Sequence, residues 1–580
     1  MNGYISINGY ISIEEPHYNK VSLISNSKLI NLELEKLKSH NFFHEDHISI
    51  VDNNIEIKKS KILEGLKIVG ILEVKSLIKY GTNNRKVPYY LFKPLDWRYP
   101  NFIVASTLKK RENIYVEISY HKWERKLPFG KIEKIIGKVG DIENDYEAIL
   151  SKYYLSYKNI NKQFNNTEFD LEDNLKSIRN DLRELNIFSI DPENCRDIDD
   201  AFHIFSSNDT IEVGVHIADV THYVRNNDLI DLEARKRCSS VYAPHKIINM
   251  LPDKLANNLC SLLENTEKYA LSVIFNFDLE GNILNYKIEP TMIKSKKNYS
   301  YQNVDLIIEK NNPQNKLEKD VIELFNFSKK IRKSEINDSH TMVEKFMILT
   351  NNIVCQNLIE NNNSDIIIRK HDKEDLRELD QIPLNLEKDL LYKTFRSAEY
   401  VLYSEKNNYH SGLDLYNYTH FTSPIRRYVD IIIHRIIKNR WLSTKNNIDK
   451  SILENINLKN KNIKKAERNF NFLNISYDIS QKEEIIYKKA FVIELDINGR
   501  IKIFLPEYKI ELNLNIINPR IKHLFTSKLE DNKLIINYQE KEYILDKYQE
   551  IEISLLSKHE EGILNKKIYA SFDLFKINDI

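Results

Sequence analysis

The sequence is poor in cysteine, with four in 580 residues. Cys195, Cys238, Cys260 and Cys355 lie far apart and form no C-x-x-C pair. This spacing argues against both a zinc knuckle and a disulfide framework. We expect reduced thiols buried in the core, where free cysteine is common.

Long apolar runs are also absent. No segment approaches the roughly 18 residues that a membrane span needs, and the N-terminal "MNGYISINGY" lacks the basic and apolar regions of a signal peptide. We therefore expect a cytoplasmic protein with no membrane partner. The net charge of +1 neither requires nor excludes a polyanionic partner, so local patterns must decide that question.

The remaining composition is that of a globular protein, with 42% apolar and 29% charged residues. The length predicts several domains. Short β segments with turn signals predict one small β domain over residues 1–60 and a second over 61–160. A β domain over 485–575 is indicated by alternation around Asn498-Gly499, a strong hairpin signal. Between them, strands and helices mix over about 175–480, with a hairpin expected at Gly281-Asn282 and a helix in "MVEKFMILTNNIVCQNLI".

The segment "IDPENCRDIDDAFH" places Asp191, Asp197, Asp199 and Asp200 within ten residues, between apolar segments. Two carboxylates about 4 Å apart repel by roughly 4 kcal/mol at an effective dielectric constant near 20, so a cation is expected among them. Hard oxygen ligands favour Mg²⁺, with Mn²⁺ as the alternative. A solvated acidic loop is the competing interpretation, whereas the EF-hand pattern of a Ca²⁺ loop is absent.

A second segment, "YTHFTSPIRRYVDIIIHRIIKNRWL", predicts a helix with Ser423 as N-cap and Pro424 as first helical residue. This would place Arg426 and Arg427 in the first turn, where the helix already carries partial positive charge. A bound phosphate would resolve that conflict. The alternative is that the arginines pair at the surface with Asp430 or with glutamate side chains.

Together these segments resemble the ribonuclease II/R family of hydrolytic 3′→5′ exoribonucleases, which includes the catalytic subunit of the eukaryotic exosome. The resemblance is carried by five segments in the family's order: "SIDPENCRDIDDAFHI", "VGVHIADVTHYV", "RCSSVYAPHKIINMLPDKLANNLCSL", "MVEKFMILTNN" and "GLDLYNYTHFTSPIRRYVDIIIHR". It implies a multidomain α+β protein, with two N-terminal cold-shock-like OB barrels and one C-terminal S1-like OB barrel around a mixed α/β ribonuclease II (RNB) catalytic domain. The exosome subunit's PIN domain is not expected.

The resemblance also implies roles for individual residues. Asp191 and Asp200 match Mg²⁺ ligands, Asp199 matches an essential catalytic residue that contacts the terminal nucleotide, and Asp197 completes the cluster. Tyr242 matches an aromatic residue that stacks on RNA, and Tyr301 matches the one that clamps the last base; burial in the core is the alternative for both.

The other implied site residues lie further along the chain. Arg426 matches an arginine that binds the scissile phosphate. Arg427 either supports the structure or holds a neighbouring phosphate. Glu344 matches the first glutamate of an "I-E-E" motif, whose third position is Lys345 here. His216 and His222 are expected as core histidines.

The predicted function is hydrolysis of single-stranded RNA from its 3′ end, held in a central channel, to nucleoside 5′-monophosphates with Mg²⁺. A monomer is expected, with a helicase or an exosome-like assembly as candidate partners. The alternatives are a catalytically inactive OB-fold RNA-binding protein and a translation or chaperone factor built on such barrels.

Overall fold

The structure is a computed structural model of the whole chain. It describes residues 7–15, 20–25, 28–31, 42–51, 54–108, 112–124, 126–169, 172–331, 336–361, 366–372, 382–383, 386, 390, 397–406, 408–442, 449–482, 485–515, 526–538, 541–557 and 568–572. The chain divides into two compact units. The first contains Met1–Ser156, Ala243–His245 and Lys465–Ile580, and the second contains Tyr157–Tyr242 and Lys246–Lys464.

The N-terminal region is an antiparallel sheet of five strands. In sheet order the strands are Lys28–Asn31, Val21–Ser25, Ile7–Ile13, His47–Val51 and Asn54–Lys59. Alternate apolar residues of these strands face a common core, with Ile11, Leu23 and Ile48 almost completely buried.

The following β region closes into a barrel. Its strands, in barrel order, are Phe129–Lys138, Phe102–Ala105, Tyr89–Pro94, Ile68–Leu72 and Ile114–Lys122. Phe92 and Phe102 fill the barrel interior, and the helix Ile142–Lys152 follows with Asp141 as its N-cap. This closed barrel lies where the sequence predicts the second small β domain.

The centre of the second unit is a strongly buried sheet. Its strands, in sheet order, are Asn180–Asp181, Ile283–Ser300, Ile187–Asp191, Asp200–Ser206, Thr210–Ala218 and Glu267–Asp278. The 18-residue strand Ile283–Ser300 also pairs with Glu267–Asp278, so five of the strands form a closed circuit of hydrogen bonds. The predicted hairpin at Gly281-Asn282 is confirmed, with Gly281 at φ +91° in the turn between these two strands.

Helices pack around this circuit. The α-helices of the central region are Ile160–Gln163, Val220–Tyr223, Leu229–Arg237, Tyr301–Lys310, Lys316–Ser328, Ser339–Glu360, Tyr428–Leu442 and Lys450–Ser480, with a π-helix at Leu255–Leu259 and a 3₁₀ turn at Ser411–Leu413. Short strand pairs are Val241–Ala243 with Lys246–Ile248, Ile367–Lys370 with Glu399–Leu402, and Tyr409–His410 with Leu415–Tyr416. The predicted helix in "MVEKFMILTNN" is confirmed, and a capping box between Asp338 and Thr341 begins it.

The C-terminal region forms two sheets. The five-stranded sheet contains, in order, Ile510–Asn515, Arg500–Leu505, Ile486–Leu495, Glu550–Ser557 and Ile568–Ser571, and the second contains Thr526–Glu530, Lys533–Tyr538 and Lys541–Asp546. The hairpin predicted at Asn498-Gly499 is confirmed, with Gly499 at φ +72°. Among the helices in the described part of the chain, none is long and apolar enough to cross a bilayer.

Candidate active site

The circuit of strands positions the aspartates of the acidic segment. Asp191 is the last residue of its strand, Asp200 is the first residue of the neighbouring antiparallel strand, and the loop between them carries Asp197 and Asp199. A backbone hydrogen bond fixes this loop at Asp199, where the Ala218 N–H donates to the Asp199 carbonyl at 2.8 Å. The sheet thus holds all four predicted carboxylates at one end of adjoining strands.

Asp199 links the acidic loop to the segment that carries Arg426. It is only 4% exposed. Its Oδ1 accepts a hydrogen bond from the Ile425 N–H at 2.8 Å, and its Oδ2 lies 3.3 Å from Nε of Arg426. The "IDD" and "SPIRR" segments, more than 200 residues apart in sequence, therefore meet at this carboxylate.

The carboxyl groups resist ionisation in the absence of a cation. Burial raises the pKa of Asp199 to about 7, against the opposing effects of Arg426 and the Ile425 N–H. Burial and the nearby Asp197 raise the pKa of Asp191 to about 6. Burial, Asp191 and Asp199 hold the pKa of Asp200 well above its usual range. Arg426 alone does not balance this cluster of acids.

The donor set fits a hard divalent cation that is shared with substrate. Among the residues that the structure describes, no three histidine, cysteine or acidic side chains converge into a complete metal-binding group. Mg²⁺, however, typically takes one or two protein carboxylates and completes its shell with water and phosphate oxygens. Oδ2 of Asp191 is buried and has no hydrogen-bond partner within the described part of the chain, as expected for an oxygen that would bind a cation.

Arg426 and Arg427 have different surroundings. The Arg426 side chain is 44% exposed beside Asp199, so its guanidinium remains accessible to a phosphate. Arg427 instead donates from its guanidinium to Oδ1 of Asp430 at 2.8 Å, and the same oxygen accepts from the Ser423 N–H. Asp430 is buried and the Arg427 side chain is only 20% exposed, which supports the structural role considered for Arg427.

The prediction that the arginines lie in the first helical turn is wrong. The helix begins at Tyr428, and residues 424–426 form a turn. The backbone here pairs with another segment: the Tyr428 N–H donates to the Cys238 carbonyl, and the Ser240 N–H donates to the Arg426 carbonyl. The Arg427 N–H still donates to the Ser423 carbonyl, but the Tyr428 N–H is diverted to Cys238, and Arg426 lies beside Asp199.

The two predicted stacking tyrosines both lie beside the carboxylates. The register of the parallel strands opposes Asp191 to Ser300, so Tyr301 follows directly at the same end of the sheet. Burial together with Asp200 and Asp191 raises the pKa of Tyr301, and its ring stacks on His340 with centroids 3.6 Å apart. Tyr242 is 44% exposed and donates from its hydroxyl to Oδ2 of Asp197 at 3.0 Å.

Glu344 lies outside the contacts described above. It is exposed on the Ser339–Glu360 helix, and within the described residues no hydrogen bond or ion pair joins it to the four aspartates. His216 and His222 are buried, as predicted, and His216 is hydrogen-bonded to His203 and Ser272.

Sequence reasoning missed two residues at this site. Cys195 was expected in the core, but it is half-buried and its Sγ lies 3.6 Å from Oδ1 of Asp197; the other three cysteines are buried as predicted. His340, which supports Tyr301, precedes a recognised motif by only two residues. Asp430 was not missed, because the sequence already offered it as a partner of the arginines, and it pairs with Arg427.

Family models match two parts of the chain. The RNB domain model matches residues 179–339 and 329–442, and the Dis3-like cold-shock domain 2 (CSD2) model matches residues 89–154. The first match contains all nine predicted site residues, and the second overlaps the closed barrel.

Curated relatives include ribonuclease R of Chlamydia pneumoniae, which is 32% identical over 53% of this chain and 54% of its own length. The probable exosome complex exonuclease RRP44 of Caenorhabditis elegans is 30% identical over 73% of this chain and 52% of its own length. The chain therefore spans about half the length of these curated relatives.

Solved structures share the fold over almost the whole chain. RNase R of Mycoplasma genitalium in complex with ribose methylated single-stranded RNA is 21% identical, with a TM-score of 0.79 over 98% of this chain and 100% of that one. Yeast Ssd1, described as a pseudonuclease, is 14% identical, with a TM-score of 0.74 over 98% of this chain and 96% of that one. At these identities the likeness shows the fold alone, and the fold occurs both in a nuclease and in a pseudonuclease.

Proposed function

The chain belongs to the ribonuclease II/R family, and from that premise we propose that it is a 3′→5′ exoribonuclease that degrades single-stranded RNA to nucleoside 5′-monophosphates. The observation that carries the proposal is the contact of Asp199 with both the Ile425 N–H and Arg426, beside Asp191 and Asp200. An accessible guanidinium next to a set of carboxylates suits phosphodiester hydrolysis. The guanidinium can bind the phosphate, and the carboxylates can bind a metal ion.

In this proposal the four aspartates, Asp191, Asp197, Asp199 and Asp200, hold Mg²⁺, with Mn²⁺ as the alternative. When bound, the metal would lower the pKa of a bound water and neutralise phosphate charge. Asp199 holds the Arg426 guanidinium in place through Oδ2. Arg426 in turn offsets the negative charge that develops on the phosphate in the transition state.

Tyr242 and Tyr301 would supply stacking surfaces for the bases near the 3′ end. Base stacking on an aromatic ring is worth about 1–3 kcal/mol and tolerates every base, which suits an enzyme that passes along a sequence. His340 stacks on one face of the Tyr301 ring, and in this proposal a base would stack on the other face. Glu344 and Arg427 remain predicted contacts of the RNA. The pair with Asp430 would hold Arg427 in place.

We propose the domain organisation suggested by the sequence. It consists of cold-shock-like barrels at 1–60 and 61–160, the RNB domain at 175–480 and an S1-like barrel at 485–575, with the barrels binding RNA whose 3′ end enters a channel of the catalytic domain. A monomer is proposed, and a helicase or exosome-like assembly is a candidate partner because one relative is named for that complex. Light scattering after size exclusion tests the oligomeric state.

The alternative is an inactive RNA-binding protein, as the likeness to a pseudonuclease suggests. It would not need the acids or the Arg426 contact, which are present together in this chain.

One oligoribonucleotide, labelled at its 5′ or its 3′ end, separates the two functions. The enzyme releases the 3′ label at once as nucleoside 5′-monophosphate, shortens the 5′-labelled chain progressively, and stops when EDTA is added. A matching oligodeoxyribonucleotide tests the preference for RNA. Binding of the RNA without release of mononucleotides would support the inactive alternative.

A further inference from the structure

Tyr242 makes a contact that a residue acting only in stacking would not need. Its hydroxyl donates to Oδ2 of Asp197 at 3.0 Å, although the ring is 44% exposed. A face that stacks on a base requires only the ring, and phenylalanine would provide one. The hydroxyl group therefore has a role of its own.

Asp197 depends on this contact for its orientation. Its second oxygen, Oδ1, is approached by the Cys195 thiol at 3.6 Å, and a thiol is a weak donor. Asp199, by contrast, is fixed by a backbone N–H and a guanidinium. Of the two donors that contact the Asp197 carboxylate among the described residues, the Tyr242 hydroxyl is the stronger.

The segment that carries Tyr242 is itself anchored to the site. The Ser239 hydroxyl donates to the Arg426 carbonyl at 2.8 Å, and the Ser240 N–H donates to the same carbonyl at 3.0 Å. Val241 next to them is completely buried. The backbone before Tyr242 is therefore attached to the Arg426 turn, and its side chain reaches the acidic loop.

We propose that Tyr242 is a positioning residue for the metal site, whose hydroxyl orients Asp197 while its ring stacks on a base. This inference rests on the proposed function and deepens it. Because one side chain would contact both a base and a metal-binding carboxylate, we expect RNA binding and metal binding to be coupled, each strengthening the other by the same factor. Partners that orient metal-binding carboxylates typically contribute 10–100-fold to metal affinity.

The test compares Tyr242→Phe, which keeps the ring, with Tyr242→Leu, which loses it. Binding of Mn²⁺ to the full-length protein is measured by electron paramagnetic resonance, and binding of a 2′-O-methylated oligoribonucleotide is measured separately in EDTA. Tyr409→Phe is the matched control, because Tyr409 also donates its hydroxyl to a carboxylate, that of Asp414, outside the site.

We expect Tyr242→Phe to weaken Mn²⁺ binding about 10-fold and to leave RNA binding in EDTA within twofold of wild type. Tyr242→Leu should weaken both, and Tyr409→Phe neither. In an Asp197→Ala background, Tyr242→Phe should cause no further loss of Mn²⁺ affinity, as expected of a residue that acts through Asp197.

Wild-type Mn²⁺ affinity in Tyr242→Phe would overturn the inference, and so would a further loss in the Asp197→Ala background. If wild-type protein releases no mononucleotides while the Mn²⁺ results hold, the proposed function fails and the positioning role stands. If RNA is degraded but Tyr242→Phe binds Mn²⁺ normally, only the positioning role fails.

Discussion

Replacing Asp199 with asparagine should abolish RNA hydrolysis and at the same time stabilise the metal-free protein. Asparagine keeps the size of the side chain and an oxygen that accepts from the Ile425 N–H, but it removes the charge that faces Arg426. Loss of a group that acts directly on the reacting phosphate typically costs 10²–10⁴-fold in rate. We expect a rate at least 100-fold below wild type, measured as mononucleotide release.

The gain in stability follows from the pKa of the buried carboxyl group. The unfolded carboxyl loses its proton near its ordinary pKa of 3.8 and the folded one near 7, so the folded state binds more protons between these values and stability falls as the pH rises through them. At about 1.4 kcal/mol per pKa unit, the ionised side chain destabilises the metal-free protein by on the order of 4 kcal/mol at pH 7 and above. Asparagine avoids this cost.

Thermal unfolding in EDTA at pH 7.5 tests this part of the prediction. Asp199→Asn should melt several degrees above wild type, and added Mg²⁺ should stabilise wild type more than the variant. Asp209→Asn, a change at an exposed hairpin position, is the matched control and should alter neither property. The reasoning would be refuted by an active variant, or by an inactive one that is less stable than wild type in EDTA.

Three further predictions concern the neighbouring groups. Arg426→Gln should lower the hydrolysis rate 10²–10³-fold and RNA affinity much less, since the guanidinium acts mainly in the transition state; equal losses in single-turnover rate and in binding would contradict this. Tyr301→Leu should weaken binding of a short single-stranded RNA about 5- to 150-fold, the equivalent of about 1–3 kcal/mol of stacking, and unchanged affinity in filter binding would mean that the ring is only a core residue. His434 is buried and donates from Nε2 to the Phe421 carbonyl, and burial lowers its pKa to about 4; the unfolded imidazole takes up a proton near pH 6.5, so stability falls by about 3 kcal/mol as the pH drops from 6.5 to 4. His434→Gln should flatten the dependence of melting temperature on pH over that range, and an unaltered slope would exclude His434 as its source.

The sequence was most informative where chemistry and local pattern coincide. The spacing of Asp191, Asp199 and Asp200 predicted one carboxylate cluster, and strand ends at Asp191 and Asp200 form it. Turn residues predicted the hairpins at Gly281 and Gly499, because their positive φ values are costly for other residues. These features depend on a few neighbouring residues, so a single sequence specifies them.

Features that depend on distant partners could not be predicted. Ser423 and Pro424 have the chemistry of a helix start, yet the helix begins at Tyr428. The reason is that the Tyr428 N–H donates to the Cys238 carbonyl and the Arg426 carbonyl accepts from the Ser240 N–H. Nothing local to either segment reveals that competition. The same holds for the closed circuit of strands, which requires Ile283–Ser300 to change partners along its length.

The energetics of the acidic cluster favour a catalytic over a purely binding role. Burial makes the ionised forms of Asp191, Asp199 and Asp200 unfavourable. Neighbouring aspartates raise the pKa of each of the three further. A protein that only bound RNA through its barrels would be more stable with asparagine at these positions. Retaining the acids makes physical sense when a cation and the RNA phosphate offset their charge, and the Asp199→Asn variant measures that offset directly, as the difference in stabilisation by Mg²⁺.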